Sequence, residues 1–234
     1  MTAWGSGLAD DDRTVVLCLS THHRIGIAKP GDDRWMLLRL RDNLLGEAPF
    51  IMFAGRFYCV TRDGVMVLKM DEGKPPRLEL AVNLNMGVSL SDDYMHLVDN
   101  CGELLLVHRQ RYDTHSIPRN NFNMWRRRYG TYRVDLDSGT LLPLKSLGGK
   151  GRAVFMGMYS SLSVSLESFP AGSIIADTIY LSFDFGETEY SNVGAYHLTS
   201  GCLGRDSRRW GGLVPQPHTL VDCLCFANTL EYII

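Results

Sequence analysis

Three segments of this chain end in the same way: Leu68-Lys69-Met70-Asp71-Glu72-Gly73, Val134-Asp135-Leu136-Asp137-Ser138-Gly139 and Tyr196-His197-Leu198-Thr199-Ser200-Gly201. In each, apolar residues two positions apart lie on one face of a β-strand, a polar stretch follows, and glycine supplies the positive φ of a tight turn. The glycines are 66 and 62 residues apart, whereas a common propeller blade takes roughly 40 to 50 residues. The repetition predicts one supersecondary unit used in a radial or stacked architecture, with an extra hairpin or loop in each copy.

Strand signals continue outward from these segments, and no helix longer than two turns is indicated. The apolar or alternating runs are residues 14–20, 24–28, 35–38, 50–53, 56–61, 65–70, 78–84, 94–99, 103–108, 132–136, 153–158, 161–166, 178–183 and 193–198. Ala54-Gly55, Arg62-Asp63-Gly64 and Asn100-Cys101-Gly102 join such runs at hairpin distance. We therefore predict an all-β fold of antiparallel hairpins and meanders. Because open sheet edges invite aggregation, the recurring unit favours a partial or irregular β-propeller.

Two polar stretches, residues 109–128 and 201–217, interrupt the strand pattern, and we interpret both as long loops. At the end of the first stretch, and extending one residue beyond it, lies the cluster Trp125, Arg126, Arg127, Arg128 and Tyr129. Guanidinium groups bind phosphate or carboxylate bidentately, and aromatic rings stack on flat partners. These five residues are the candidate partner-binding site. The alternative interpretation of the cluster is a solvated loop.

Composition and charge limit the possible binding partners and the cellular location of the protein. A chain of 234 residues with 45% hydrophobic and 21% charged residues is long enough for one core. The formal net charge of −2 gives no overall attraction to nucleic acid or to an anionic membrane. The apolar runs are far shorter than the roughly 20 residues of a membrane helix, and residues 1–13 do not have the pattern of a secretory signal. We expect a disordered segment over residues 1–13, one domain over residues 14–234, and an intracellular protein of the cytoplasm or nucleus.

The chemistry-bearing residues do not assemble into a recognisable catalytic or metal site. Asp32-Asp33 and Asp92-Asp93 lie beside turn signals, as solvated carboxylates do. His22-His23 lacks the further ligands that a zinc site requires. The six cysteines are scattered, which is typical of reduced thiols. We identify no catalytic residue, no metal ligand and no cofactor site, and we expect the protein not to be an enzyme.

Several segments, in order along the chain, resemble the plant F-box-associated β-propeller family, also called the KIB-type propeller. The segments are Ala28-Lys29-Pro30-Gly31-Asp32-Asp33-Arg34-Trp35, Phe57-Tyr58 with Thr61 and Gly64, Gly102-Glu103-Leu104-Leu105-Leu106-Val107, Ser146-Leu147-Gly148-Gly149 followed by Ala153-Val154-Phe155-Met156-Gly157, and Val193-Gly194-Ala195-Tyr196. The resemblance covers about residues 14–200. It implies a partial KIB-type propeller.

The resemblance also implies a function. In an F-box protein of this kind the helical box docks on the Skp adapter of a cullin ubiquitin ligase, and the propeller holds the substrate. Nothing before Thr14 resembles that box. We therefore expect a non-catalytic module that binds an unidentified protein substrate and does not bind the Skp adapter by itself. Two alternatives stay open: an RNA- or phosphate-binding protein that uses the Arg/Trp cluster, and a non-functional truncated gene product.

Overall fold

A computed structural model describes residues 3–9, 14–19, 24–39, 50–71, 73–84, 94–112, 126–148, 151–156, 161–181, 191–203 and 208–210. In these parts of the chain the regular structure is β-strand, apart from one 3₁₀ turn at Leu166–Ser168. The predicted all-β fold is confirmed. The described parts of the chain contain no helix with the length and hydropathy of a membrane span.

The strands form four sheets that follow one another along the chain. Sheet 1 contains β1 (Ala3–Ala9), β2 (Thr14–Leu19), β3 (Arg24–Ala28) and β4 (Met36–Arg39); sheet 2 contains β5 (Ile51–Phe53), β6 (Arg56–Val60), β7 (Gly64–Lys69) and β8 (Arg77–Asn83); sheet 3 contains β9 (Tyr94–Asp99), β10 (Leu104–Tyr112), β11 (Arg126–Asp135) and β12 (Thr140–Leu144); sheet 4 contains β13 (Arg152–Met156), β14 (Ser161–Ser165), β15 (Thr178–Leu181), β16 (Ser191–His197), β17 (Cys202–Leu203) and β18 (Arg208–Trp210). Sheets 1 to 3 are antiparallel meanders in strand order.

Neighbouring sheets pack face to face, and each contact is an apolar seam. The first seam, between sheets 1 and 2, contains Val16, Ile25, Ile27, Phe57 and Leu68. The second seam, between sheets 2 and 3, contains Tyr58, Val60, Val65, Val67, Val82, Met95, Leu97, Leu104, Leu106 and Val134. The third seam, between sheets 3 and 4, contains Val98, Leu105, Val107, Tyr129, Val154, Met156, Ile179 and Tyr196. Since alternate residues of one strand face opposite seams, sheets 2 and 3 are covered on both faces. The described sheets do not close into a ring, so the fold is a partial propeller.

The turns follow the glycine pattern of the sequence. Gly73, Gly139 and Gly201 all have positive φ, at 72°, 67° and 65°. Each connects a strand to the next one toward the sheet edge. In the β9–β10 hairpin, Cys101 and Gly102 have φ values of 59° and 87°, as the two central residues of a type I′ turn require. The predicted turns are therefore confirmed.

The N-terminal segment was expected to be disordered over residues 1–13, and this is wrong for Ala3–Ala9. These residues form β1, which pairs antiparallel with β2 from Ala3 opposite Leu19 to Ala9 opposite Thr14. Glycine-rich sequence has weak intrinsic strand preference, and here the neighbouring strand supplies the hydrogen-bonding ladder.

Sheet 4 departs from the simple meander. Its strand order is β14-β13-β15-β16-β17, and β13 and β15 run parallel. The connection from β14 to β15 crosses β13 and carries Ile174, which is buried with Ala153 and Phe155 on the face of sheet 4 away from sheet 3. The predicted loop over residues 201–217 is also partly wrong, because β17 and β18 both pair with β16.

Candidate partner-binding ribbon

A two-stranded ribbon extends from sheet 3. β10 and β11 pair continuously from Leu105 opposite Arg133 to Tyr112 opposite Arg126. The flanking strands are shorter, because β9 reaches only as far as Arg109 and β12 only as far as Thr131. Beyond those points β10 and β11 have only each other as partners in the described sheet.

The ribbon replaces the first predicted loop. We expected residues 109–128 to form a polar insertion, and this is wrong at both ends, where residues 109–112 and 126–128 are strand. The arginine-rich sequence lacks apolar alternation, so periodicity gave no strand signal, while the backbone ladder is indifferent to side-chain polarity. The intervening residues 113–125 lie outside the described part of the chain.

The five residues of the candidate partner-binding site fall into three groups. Arg126, Arg127 and Arg128 lie on β11 in the ribbon. Trp125 lies outside the described residues. Tyr129 is 4% exposed and packs in the third seam, where its ring centroid is 4.8 Å from that of Tyr196. Tyr129 therefore has a core role, and the arginines remain as the candidate contact residues.

The pairing register of β10 with β11 determines which arginine positions share a face of the ribbon. Arg111 is directly opposite Arg127, and Gln110 is opposite Arg128. Because alternate strand positions share a face, Arg111 and Arg127 share the face of Arg109, which is opposite Tyr129. The pairing register therefore places Arg111 and Arg127 at directly opposite positions of the two strands.

Arg109 brings a positive charge into the third seam. It is 5% exposed, and a guanidinium stays protonated in proteins. His96 on β9 is 6% exposed, and its pKa is lowered from 6.5 to about 4, chiefly by burial and further by the charge of Arg109. His96 is therefore neutral at physiological pH. Its Nδ1 and the Oγ1 of Thr131, which is 2% exposed, have no hydrogen-bond partner in the described structure.

Sequence inspection missed His96, Arg109 and Thr131. The available signal was a polar residue at a buried position of an alternating strand, as in Tyr94-Met95-His96-Leu97-Val98. That pattern identifies a buried polar side chain, but it does not reveal which strand faces it across a seam.

The opposite end of the third seam is held by a polar clasp, defined by Asn100, Leu147, Arg152, Ser163 and Asp177. Asn100 Nδ2 donates to the Leu147 carbonyl at 3.3 Å, and Asn100 Oδ1 accepts from Arg152 Nε at 2.9 Å and from Ser163 Oγ at 2.5 Å. The Leu147 N–H donates to Asp177 Oδ1 at 2.6 Å. This clasp fixes sheet 4 against the β9–β10 turn and leaves the ribbon at the other end.

The other chemistry-bearing groups are dispersed. Asp32 lies in the exposed turn between β3 and β4, where its Oδ2 accepts from the Lys29 N–H at 2.7 Å. Within the described ranges, no group of three or more His, Cys, Asp or Glu residues could hold a metal ion. His22-His23 and Asp92-Asp93 lie outside those ranges.

Comparison with known protein families gives a match over most of the chain. A family model described as the KIB1-4 beta-propeller matches residues 4–197, and it begins within β1 and ends at the last residue of β16. No curated protein matches the chain.

Proposed function

Because the chain belongs to the KIB1-4 beta-propeller family, we propose that it is a non-catalytic protein-interaction module whose sheets form a rigid support for the β10–β11 ribbon. The observation that carries the proposal is the ribbon register, which brings Arg111 opposite Arg127 and continues beyond the flanking strands. A paired ribbon on a packed scaffold has its backbone ordered before a partner binds, which lowers the entropic cost of binding. The partner is a protein segment rich in negative charge.

A substrate-holding role within a ubiquitin ligase is the finer form of this proposal. It is supported by the family resemblance of the propeller, since in F-box proteins of this kind the propeller is the part that holds substrate. The described residues contain no α-helix, and we expect residues 1–234 not to bind a Skp adapter directly. Coprecipitation of purified adapter with the purified chain would contradict that expectation.

The interaction role is tested by photo-crosslinking from the ribbon. A photoreactive amino acid is introduced at Arg127, and separately at Arg56, which is exposed on β6 in sheet 2. We expect the Arg127 probe to crosslink a defined protein set that the Arg56 probe does not reach. Loss of that set in Arg126→Gln/Arg128→Gln would assign it to the ribbon.

RNA is the competing partner, because arginines beside Trp125 also suit a phosphate backbone and a stacked base. RNase treatment before crosslinking separates the two. Crosslinks to protein that survive RNase support the proposal. If the crosslinked material is RNA, or if both probes reach the same proteins, the protein-interaction function is wrong.

A further inference from the structure

We propose that the exposed edge of sheet 1, defined by Trp35, Met36 and Leu37, pairs antiparallel with the same edge of a second copy of this chain. The inference goes beyond the proposed function, because it concerns sheet 1 and not the ribbon of sheet 3. It starts from three consecutive large apolar residues that are 48%, 51% and 50% exposed.

This edge is apolar on both faces of the sheet. The two neighbours of Gly26 on β3 belong to the first seam, so Gly26 itself faces away from sheet 2. An added Cβ on Gly26 would lie 3.2 Å from Trp35 Cε3 and 3.8 Å from Leu37 Cδ2. Trp35 and Leu37 therefore cover Gly26 on the outer face, and Met36 lies on the opposite face. A strand that pairs with β4 would cover apolar side chains on both sides.

The corresponding edges of the other three sheets carry features that discourage pairing. β8 contains the charged residues Arg77 and Glu79, and its pairing with β7 has a register shift. β12 contains Pro143, and the edge of sheet 4 is divided between β17 and β18, which have two and three residues. Charges, bulges, proline and short strands are the usual protections of an exposed edge. In contrast, β4 pairs with β3 without a register shift, contains no proline and has its one charged residue at its end.

A second copy is the partner that this edge fits. In an antiparallel pair with a two-fold axis at Met36, Trp35 of each copy lies opposite Leu37 of the other copy, and Met36 lies opposite Met36. Directly opposite residues share a face of the sheet. Aromatic–aliphatic pairs therefore form on the outer face, and the flexible methionines meet on the other face. The pair requires no other surface of the chain, because the edge is its own complement.

The size of the edge predicts a weak dimer. Three large residues that are half exposed leave an apolar patch of about 300 Å² per copy, whereas a stable complex buries about 800 Å² per partner. Main-chain hydrogen bonds between the two β4 strands supply further affinity, since they continue the ladder that joins β1 to β4. The dimer should therefore form at micromolar concentrations and dissociate on dilution.

Sedimentation velocity of the purified chain, from about 1 to about 100 µM, tests the inference. We expect the average mass to rise toward that of the dimer as the concentration increases. Leu37→Lys brings a charge opposite Trp35 of the second copy and should raise the dissociation constant of the dimer at least about 10-fold. Leu80→Lys is the matched control, because Leu80 is 49% exposed on the edge strand β8 and the net charge changes equally. This control should leave the dimer unchanged.

Two charged variants test the register of the pair. Trp35→Glu alone and Leu37→Lys alone should each stay monomeric, because an introduced charge then faces an apolar residue in both halves of the dimer. When the two variants are mixed, the introduced carboxylate lies opposite the introduced amine, and the other half of the dimer is unchanged. The mixture should therefore form a heterodimer. Melting temperatures of both variants show whether they are folded, and if Trp35→Glu is not folded, the comparison of Leu37→Lys with Leu80→Lys decides alone.

The outcomes separate this inference from the proposed function. A monomer over the whole concentration range, a dimer that persists in Leu37→Lys, or an equal weakening of the dimer by Leu80→Lys overturns it. A mixture of the two folded charged variants that stays monomeric also overturns it. None of these results alters the crosslinks from Arg127, by which the interaction function is judged.

Discussion

His96 makes the stability of the third seam depend on pH. Its pKa is about 4 in the folded chain against 6.5 ordinarily, so as pH falls the unfolded state takes up the proton first. The free energy of unfolding that depends on neutral His96 therefore has its full value above pH 6.5 and falls progressively as the pH falls toward 4. Each pKa unit corresponds to about 1.4 kcal/mol, so we expect a loss of about 3 kcal/mol over that window.

Urea denaturation at a series of pH values measures this loss. His96→Gln cannot be protonated, and the variant should show a flatter pH profile between pH 6.5 and 4. His197→Gln controls for the removal of one histidine, at a partly buried position of sheet 4. An unchanged slope in His96→Gln would contradict the assignment.

The two cysteines whose side chains are described should differ in reactivity. Burial raises the pKa of the Cys59 thiol to about 12, whereas Cys101 is exposed in the β9–β10 turn. The thiolate is the reactive form, so iodoacetamide at pH 8 should modify Cys101 in the native protein and reach Cys59 only after unfolding. Mass spectrometry of the tryptic peptides measures both sites. Equal labelling of the native protein would be inconsistent with the burial of Cys59.

At the scale of the element, Gly64 fixes the start of β7. Its φ is 155°, and an added Cβ would lie 2.1 Å from the Val82 carbonyl oxygen on the neighbouring strand β8. Backbone atoms cannot yield as a flexible side chain can, so Gly64→Ala must distort the β7–β8 ladder. We expect a loss of about 3 kcal/mol in the free energy of unfolding.

Gly55 is the matched control for this substitution. Its φ is 72°, in the β5–β6 turn, and nothing lies within 4 Å of an added Cβ. Gly55→Ala should lower the free energy of unfolding by about 1 kcal/mol, because only the left-handed backbone conformation disfavours alanine there. If denaturation curves show equal losses for the two variants, the close approach of β7 and β8 is not the cause.

Strands that are determined by a local sequence pattern were predictable. Strands that depend on pairing with a neighbouring strand were not. The run predicted at residues 94–99 coincides with β9, because alternation and flanking polar residues determine it. β12 was missed. It contains Pro143, which an edge strand tolerates and which weakens any strand signal in the sequence. The ribbon was missed because its backbone hydrogen bonds are made between β10 and β11, and no pattern within either strand indicates them. The parallel pairing of β13 with β15 was missed for the same reason.

On the scale of the whole molecule, the sequence allowed the order of the sheets to be predicted. It did not allow the side-chain contacts between neighbouring sheets to be predicted. Repeated glycine turns indicate repeated units, and units in series pack on their neighbours. The contacts between sheets 3 and 4 combine side chains far apart in sequence, such as Asn100 with Ser163. No local pattern indicates such a pair, so the clasp became visible only in three dimensions.

The clasp should therefore control how firmly sheet 4 is attached. Asn100 is 4% exposed and is the one side chain of the clasp that contacts Leu147, Arg152 and Ser163. Asn100→Ala removes hydrogen bonds from the buried Leu147 carbonyl and Ser163 hydroxyl and from the partly buried Arg152, at a cost of about 1 to 3 kcal/mol. Native-state hydrogen exchange should show this loss in the amides of β13, β14 and β15, while those of sheet 2, covered on both faces, keep their protection.

Asn83→Ala provides the comparison, because Asn83 is an exposed asparagine on β8 in sheet 2. Its removal should leave exchange in sheet 4 unchanged. A uniform fall of protection across all sheets in Asn100→Ala would mean that the sheets open as one cooperative unit. Selective opening of sheet 4 would mean that the third seam is the weakest junction of the partial propeller.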